Sequence, residues 1–132
     1  MGHYTHEKSP LGAAAGLAAI HYIEKHNLLE HSRELGAYAL ERAKKLMDKH
    51  PIIGSVRGIG LFLGIELVKD RSTGERALDE AEAVMYRALS KGMSFKLTMG
   101  NILTLTPALT ITKEEMDNAM DIIDECVTEV EK

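Results

Sequence analysis

The sequence predicts an α+β fold: a small, mostly antiparallel sheet of three to four strands with helices packed on one face, preceded by a long Ala-rich helix. Three observations carry that prediction. The apolar period changes from helical to alternating at Ile52. A run of strand formers interrupted by three glycines follows, Val56-Arg57-Gly58-Ile59-Gly60-Leu61-Phe62-Leu63-Gly64-Ile65-Glu66-Leu67. Near the C-terminus, Thr112 and Glu115 stand at capping-box spacing before an amphipathic segment.

Each element has a local reason. Ser9-Pro10 is a helix start, a capping residue followed by proline at the first helical position. The helix from Leu11 to about His26 is rich in alanine and glycine, so a neighbouring backbone is expected to pack tightly on it. Asn27 interrupts it. A second helix, Leu28 to Lys49, carries an apolar stripe through Leu35, Ala39 and Leu46, and Pro51 stops it.

Ile52 to Val56 and Gly60 to Val68 read as two strands joined through Arg57-Gly58, with one cation at the bend. Lys69 to Gly74 is a polar turn. Asp79 to Lys91 is helical, with Ala81, Val84, Met85, Ala88 and Leu89 on one face and Gly92 closing it. Met93 to Leu97 and Ile102 to Thr106 form a hairpin around Met99-Gly100-Asn101. In the last helix, Ile111 and Met116 are placed for a hydrophobic staple, and Met116, Ala119, Met120, Ile123 and Val127 mark its buried stripe. The first helix is expected to belong to a different structural unit from the rest, which divides the chain at residues 1–27 and 28–132.

Bulk properties narrow the function. The 132 residues carry a formal net charge of −4 with no Lys/Arg block, so neither nucleic acid nor a membrane surface is an expected partner. No apolar run approaches the roughly 20 residues that cross a bilayer. Cys126 is the single cysteine, which excludes an internal disulfide and fits a reducing, cytoplasmic compartment.

The chemistry candidates are few. Cys126 lies near an apolar helical stripe with no histidine close in sequence, so it reads as a buried structural residue. His3 and His6 lack the helical or Cys-rich context of a metal site, and none is expected. Glu80 with Glu82, and Glu114 with Glu115, read as solvated helix faces. Gly58, Gly60 and Gly64 lead into a strand rather than a helix, which rules out a dinucleotide-binding loop. Arg57 has two readings: a bidentate fork for a substrate anion, or a brace for the bend, which is preferred. Gly58 and Gly60 read as structural. Tyr4-Thr5-His6 precedes a capped helix, where a hydroxyl and backbone amides can receive a phosphate.

Four stretches together resemble the C-terminal part of the class III (fold type I) pyridoxal-phosphate aminotransferases. They are Tyr4-Thr5-His6 with Ser9-Pro10, the Ala-rich helix, Ile53-Gly54-Ser55-Val56-Arg57-Gly58-Ile59-Gly60-Leu61, and Pro107-Ala108-Leu109-Thr110-Ile111-Thr112. Thr5-His6, Gly64 to Arg71 and Gly92-Met93-Ser94 are similar to the 2,2-dialkylglycine decarboxylases of that family. The resemblance implies pyridoxal 5'-phosphate in a full-length parent, held as a Schiff base by a lysine upstream of residue 1. The isolated chain is then expected to hold no cofactor and to be inactive, with no catalytic residue of its own. Its partners would be the large domain of the parent and a second copy in a homo-oligomer.

Two positions carry specific expectations from the resemblance. Thr5 matches a threonine that reaches the cofactor phosphate of the other subunit. Thr104 takes the place of an arginine that clamps the substrate carboxylate in many relatives, and threonine cannot form that bidentate pair. Either the substrate lacks that carboxylate, or another residue binds it, or this copy has drifted. Ser9 stands where the decarboxylases carry a carboxylate side chain near an alkali ion, which weakens that site here. The principal reading is therefore a segment that closes the active site of a transaminase or decarboxylase. Its alternatives are a lyase or transaminase of amines lacking an α-carboxylate, and a non-catalytic interaction module.

Overall fold

The computed structural model describes residues 9–132. Helix α1 (Pro10–Lys25) is followed by α2 (Leu28–Lys49), the hairpin β1 (Ile53–Ile59) and β2 (Phe62–Asp70), and a short strand β3 (Glu75–Arg76). Helix α3 (Leu78–Ser90), the hairpin β4 (Lys96–Thr98) and β5 (Ile102–Leu105), and α4 (Lys113–Val130) complete the chain.

The strands lie in the order β1-β2-β5-β4, with β3 alongside β2, and every pairing is antiparallel. Strand alternation separates two faces. Leu63, Ile65 and Leu67 of β2 and Leu103 and Leu105 of β5 point to one face and are buried. There they meet a helix layer in which α4 contacts both α2 and α3. Met116, Met120, Ile123, Cys126 and Val127 form the buried stripe of α4. Ala39, Ala43 and Leu46 do the same for α2, and Ala81, Val84 and Ala88 for α3.

Polar contacts fix the helices to one another. Tyr38 donates to Asp117, Arg42 Nη2 to Asp121 at 2.5 Å, and Lys49 Nζ to Asp124 at 2.7 Å, so α2 and α4 run side by side in the same direction. His50 is buried, with Nδ1 2.6 Å from Glu131 and Nε2 2.6 Å from Asp124. Arg71 donates to the carbonyls of Met47, His50 and Ile53, and so satisfies the end of α2 and the start of β1. The α4 capping box forms as its spacing predicts: Glu115 N–H donates to Thr112 Oγ1 at 3.1 Å, and Thr112 N–H to Glu115 at 2.8 Å.

Several expectations need correction. Arg57-Gly58 does not join the first two strands. Both residues lie inside β1, and the turn is Gly60-Leu61. Gly60 has φ +53°, the left-handed value that the first residue of such a tight hairpin requires. Gly58 is extended and serves a different need, since a Cβ there would sit 2.7 Å from the Phe62 carbonyl oxygen. The sheet has five strands, because the polar segment after Asp70 turns back as β3. Residues 93–95 are not strand. Leu89 is 54% exposed and does not join the α3 stripe.

Helix α1 behaves unlike the others. Ser9 caps it, with Gly12 N–H donating to Ser9 Oγ, yet none of its residues is buried. Leu11, Leu17, Ile20 and Tyr22 are all exposed. The tight packing expected of its small residues is absent within the described residues. A close backbone approach occurs instead at Gly36 of α2, where a Cβ would lie 2.1 Å from the Gly60 carbonyl oxygen.

Candidate functional site

The sheet face opposite the helices carries the site candidates. Register places Arg57 of β1 opposite Gly64 of β2, Gly64 opposite Thr104 of β5, and Thr104 opposite Lys96 of β4. The next row runs Ser55, Glu66, Ile102, Thr98. Strand alternation puts all of these side chains on the helix-free face. Gly64 has none, so the centre of the first row is open. A Cβ there would lie 3.3 Å from Ile102 Cγ2 and 4.0 Å from Arg57 Cγ.

The result is a groove of about 410 Å³ whose lining includes Arg57, Gly64, Phe62, Thr98, Ile102 and Thr104. Arg57 and Thr104, taken from the sequence for different reasons, stand on its two sides. Arg57 Nη1 donates to Ser55 Oγ at 2.6 Å and to Glu66 at 2.8 Å. Ser55 Oγ also donates to Glu66 at 2.9 Å. The Arg57 guanidinium first, and then the Ser55 hydroxyl, hold the Glu66 carboxyl below the usual range. On the far wall the Thr98 and Thr104 hydroxyls lie 2.7 Å apart. Ile59 and Phe62 are 82% and 57% exposed at one end of the groove.

Other candidates fall elsewhere. Thr5, with Tyr4 and His6, lies outside the described residues. Cys126 is buried in the core, and that burial pushes its thiol up. Among the described residues no cluster of three or more His, Cys, Asp or Glu is arranged to hold a metal. Thr98 and the open position at Gly64 were not anticipated. Alternation along β2 was the available signal, since it sets Phe62, Gly64 and Glu66 on one face.

The groove's lining offers one guanidinium, two hydroxyls and apolar carbon, and contains no lysine. These residues do not by themselves fit pyridoxal phosphate, which needs an amine to bond its aldehyde and several donors for its phosphate. The arrangement suits the binding of an organic anion. Among the described residues no helix is long and apolar enough to cross a membrane.

Comparison with known proteins places this architecture. The family model for aminotransferase class III matches residues 3–127. The chain is 46% identical over 130 residues to the (R)-1-hydroxy-2-aminoethylphosphonate ammonia-lyase of Vibrio splendidus, covering 98% of this chain and 27% of that protein. It is 41% identical to the leucine/methionine racemase of Thermococcus litoralis, covering 100% of this chain and 30% of the relative. Among solved structures, a transaminase from directed evolution by ancestral reconstruction superposes with a TM-score of 0.91 at 33% identity, over 99% of this chain and 30% of that one. The chain thus spans under a third of the length of these relatives. With the family model matching nearly its whole length and the fold agreeing throughout, the chain belongs to the class III aminotransferases.

Proposed function

We propose that this chain forms the C-terminal part of a pyridoxal-phosphate enzyme and that its helix-free sheet face forms one wall of the substrate pocket. Residues 1–27 are the end of the large domain and the connecting helix, and residues 28–132 are the small domain. The large domain of the parent is the partner, in a cytoplasmic homodimer, with Thr5 reaching the cofactor phosphate of the other subunit. The cofactor supplies the electron sink for the reaction when bound. This chain's part is to shape the pocket, bind the substrate's distal group and exclude water, and alone it is inactive.

The observation that carries this reading is the row Arg57-Gly64-Thr104 across an uncovered groove. It supports a substrate whose acid group is not an α-carboxylate, because the threonine at position 104 offers no bidentate cation. The 46% identical relative is named for such a substrate, an aminophosphonate. We therefore favour a lyase or transaminase of amines lacking an α-carboxylate. Decarboxylation of a 2,2-dialkylglycine is the second reading, supported by the sequence from Gly64 to Arg71.

A chimaera tests this. The corresponding C-terminal segment of the Vibrio splendidus lyase is replaced by this chain, and the purified protein is assayed for cofactor absorbance after desalting. Turnover is then measured with 2-aminoethylphosphonates, simple amines and α-amino acids. Cofactor retention with a preference for carboxylate-free amines is expected. A folded chimaera without retained cofactor defeats the proposal, and a preference for dialkylglycines favours the second reading.

A further inference from the structure

We infer that Arg57, not Thr104 alone, anchors the substrate's acid group, and that the group it suits is a tetrahedral XO₃ anion, a phosphonate or sulfonate. The inference rests on the proposal above only for taking this face as the substrate side; the anion site itself stands on the geometry of the chain.

Arg57 is held by one nitrogen alone. Both of its protein contacts, to Ser55 Oγ and to Glu66, use Nη1. Among the described residues Nε and Nη2 have no hydrogen-bond partner, and together they form an edge of the guanidinium that can take two oxygens of one anion. Ser55 and Glu66 thus fix the orientation of the fork and leave that edge unused. The Arg57 stem passes over Gly64, with Cγ 4.0 Å from the place of a Gly64 Cβ. Any side chain at position 64 would rise between the guanidinium and the opposite wall.

That wall carries a second kind of donor. The Thr98 and Thr104 hydroxyls bond each other at 2.7 Å, which uses one of their two protons. Where Thr98 donates that bond, the remaining proton is that of Thr104, whose one further acceptor among the described residues is the Ile102 carbonyl oxygen at 3.5 Å, the limit of a hydrogen bond, and it can turn toward the groove. Arg57 and Thr104 are two strand spacings apart, about 10 Å between backbones, with an open floor between them. A carboxylate has two oxygens and satisfies the fork alone. A phosphonate or sulfonate has a third oxygen directed away from the fork, and the threonine pair stands on that side. The Glu66 charge opposes any anion here, and a doubly charged phosphonate most, so it is the third oxygen's bond to the threonine pair that sets XO₃ anions above acetate.

The test uses the ¹⁵N-labelled chain and three probes: methylphosphonate, methanesulfonate and acetate. Methylphosphonate is expected to shift the Arg57 Nε–H, Gly64 and Thr104 signals saturably, with a Kd of about millimolar and at least about tenfold below that of acetate. Arg57→Gln should weaken binding by about tenfold or more, and Thr104→Val by about threefold. Gly64→Ala, which keeps the charge and blocks the floor, should weaken it as Arg57→Gln does. Arg57→Lys, keeping charge without the fork, gives the same test should the glutamine variant lose its dispersed spectrum. Equal binding by wild type and Arg57→Gln, equal binding of acetate and phosphonate, or saturable shifts confined to other residues each overturn the assignment. Loss of phosphonate binding here together with cofactor retention by the chimaera would break this inference alone. The converse result would break the enzyme proposal and leave the anion site.

Discussion

The two faces of the sheet use similar residues to opposite ends. On one, Leu63, Ile65 and Leu67 meet the helix layer and vanish from solvent. On the other, Ile59 and Phe62 stand exposed beside Arg57, and α1 adds Leu11, Leu17 and Ile20 to the uncovered surface. Hydrophobicity alone does not distinguish them. What differs is whether the chain supplies a partner layer, and only the covered side has one among the described residues. Contiguous exposed apolar surface is a feature of interaction sites, and the chain spans under a third of the length of its relatives.

Paired substitutions, one on each side, sharpen that contrast. The largest effect is expected in the core. Ile65→Ala removes a fully buried side chain and should cost about 2–5 kcal/mol, whereas Ile59→Ala should stay within about 0.5 kcal/mol. Urea denaturation of both variants measures the gap, and equal losses would mean that the open face is packed in solution.

Glycines give the next test. Gly36→Ala drives a Cβ against the Gly60 carbonyl and should destabilise by about 1–3 kcal/mol. Gly16→Ala in α1 meets nothing within 4 Å and should favour the helix by about 0.5–1 kcal/mol. Thermal melts followed by circular dichroism should show a lowered midpoint for Gly36→Ala, whereas Gly16→Ala should raise the helical signal and leave the core midpoint where it is.

Helix caps follow. Thr112→Ala breaks the α4 capping box and should cost about 1 kcal/mol. Ser9→Ala removes a single long bond at an uncovered helix and should leave the denaturation midpoint of the core unchanged. A comparable loss in both variants would show α1 to be part of the cooperative unit.

The smallest effect concerns acid. The folded Glu66 carboxyl is held below its unfolded value by Arg57 and Ser55. Its contribution is therefore complete above the ordinary carboxylate range and fades as pH falls through the lowered folded value. In Arg57→Gln the stability profile should flatten in that acid window and match wild type only once Glu66 is protonated in both proteins. Denaturation midpoints at a series of pH values from neutral to acid check the sign.

Much of this was legible in the sequence. Helix α2 runs from Leu28 to Lys49 as read, because Asn27 and Pro51 punctuate it and its stripe repeats at helical spacing. The α4 cap was equally plain, since reciprocal Thr and Glu contacts depend on local spacing alone. The placement of the first hairpin turn was not. Two glycines lie two residues apart, and sequence cannot tell which needs a positive φ and which only a close neighbour. The grooved face depended on register between strands 40 residues apart in the chain, Gly64 with Thr104, which no local pattern encodes. Strand β3 escaped notice because two charged residues show no alternation.

The sheet topology also bears on how quickly this unit assembles. Strands β1 and β2 are joined by two residues and β4 and β5 by three, so each hairpin closes with little loss of chain entropy. Only the β2–β5 ladder joins distant segments, and α3 lies between them in sequence. The slow step of folding should then be the meeting of two preformed hairpins, with α3 shortening the search. Substitutions in that ladder, Leu103 above all, should slow refolding, while changes at the Gly60 turn should act chiefly on whether the first hairpin forms in time.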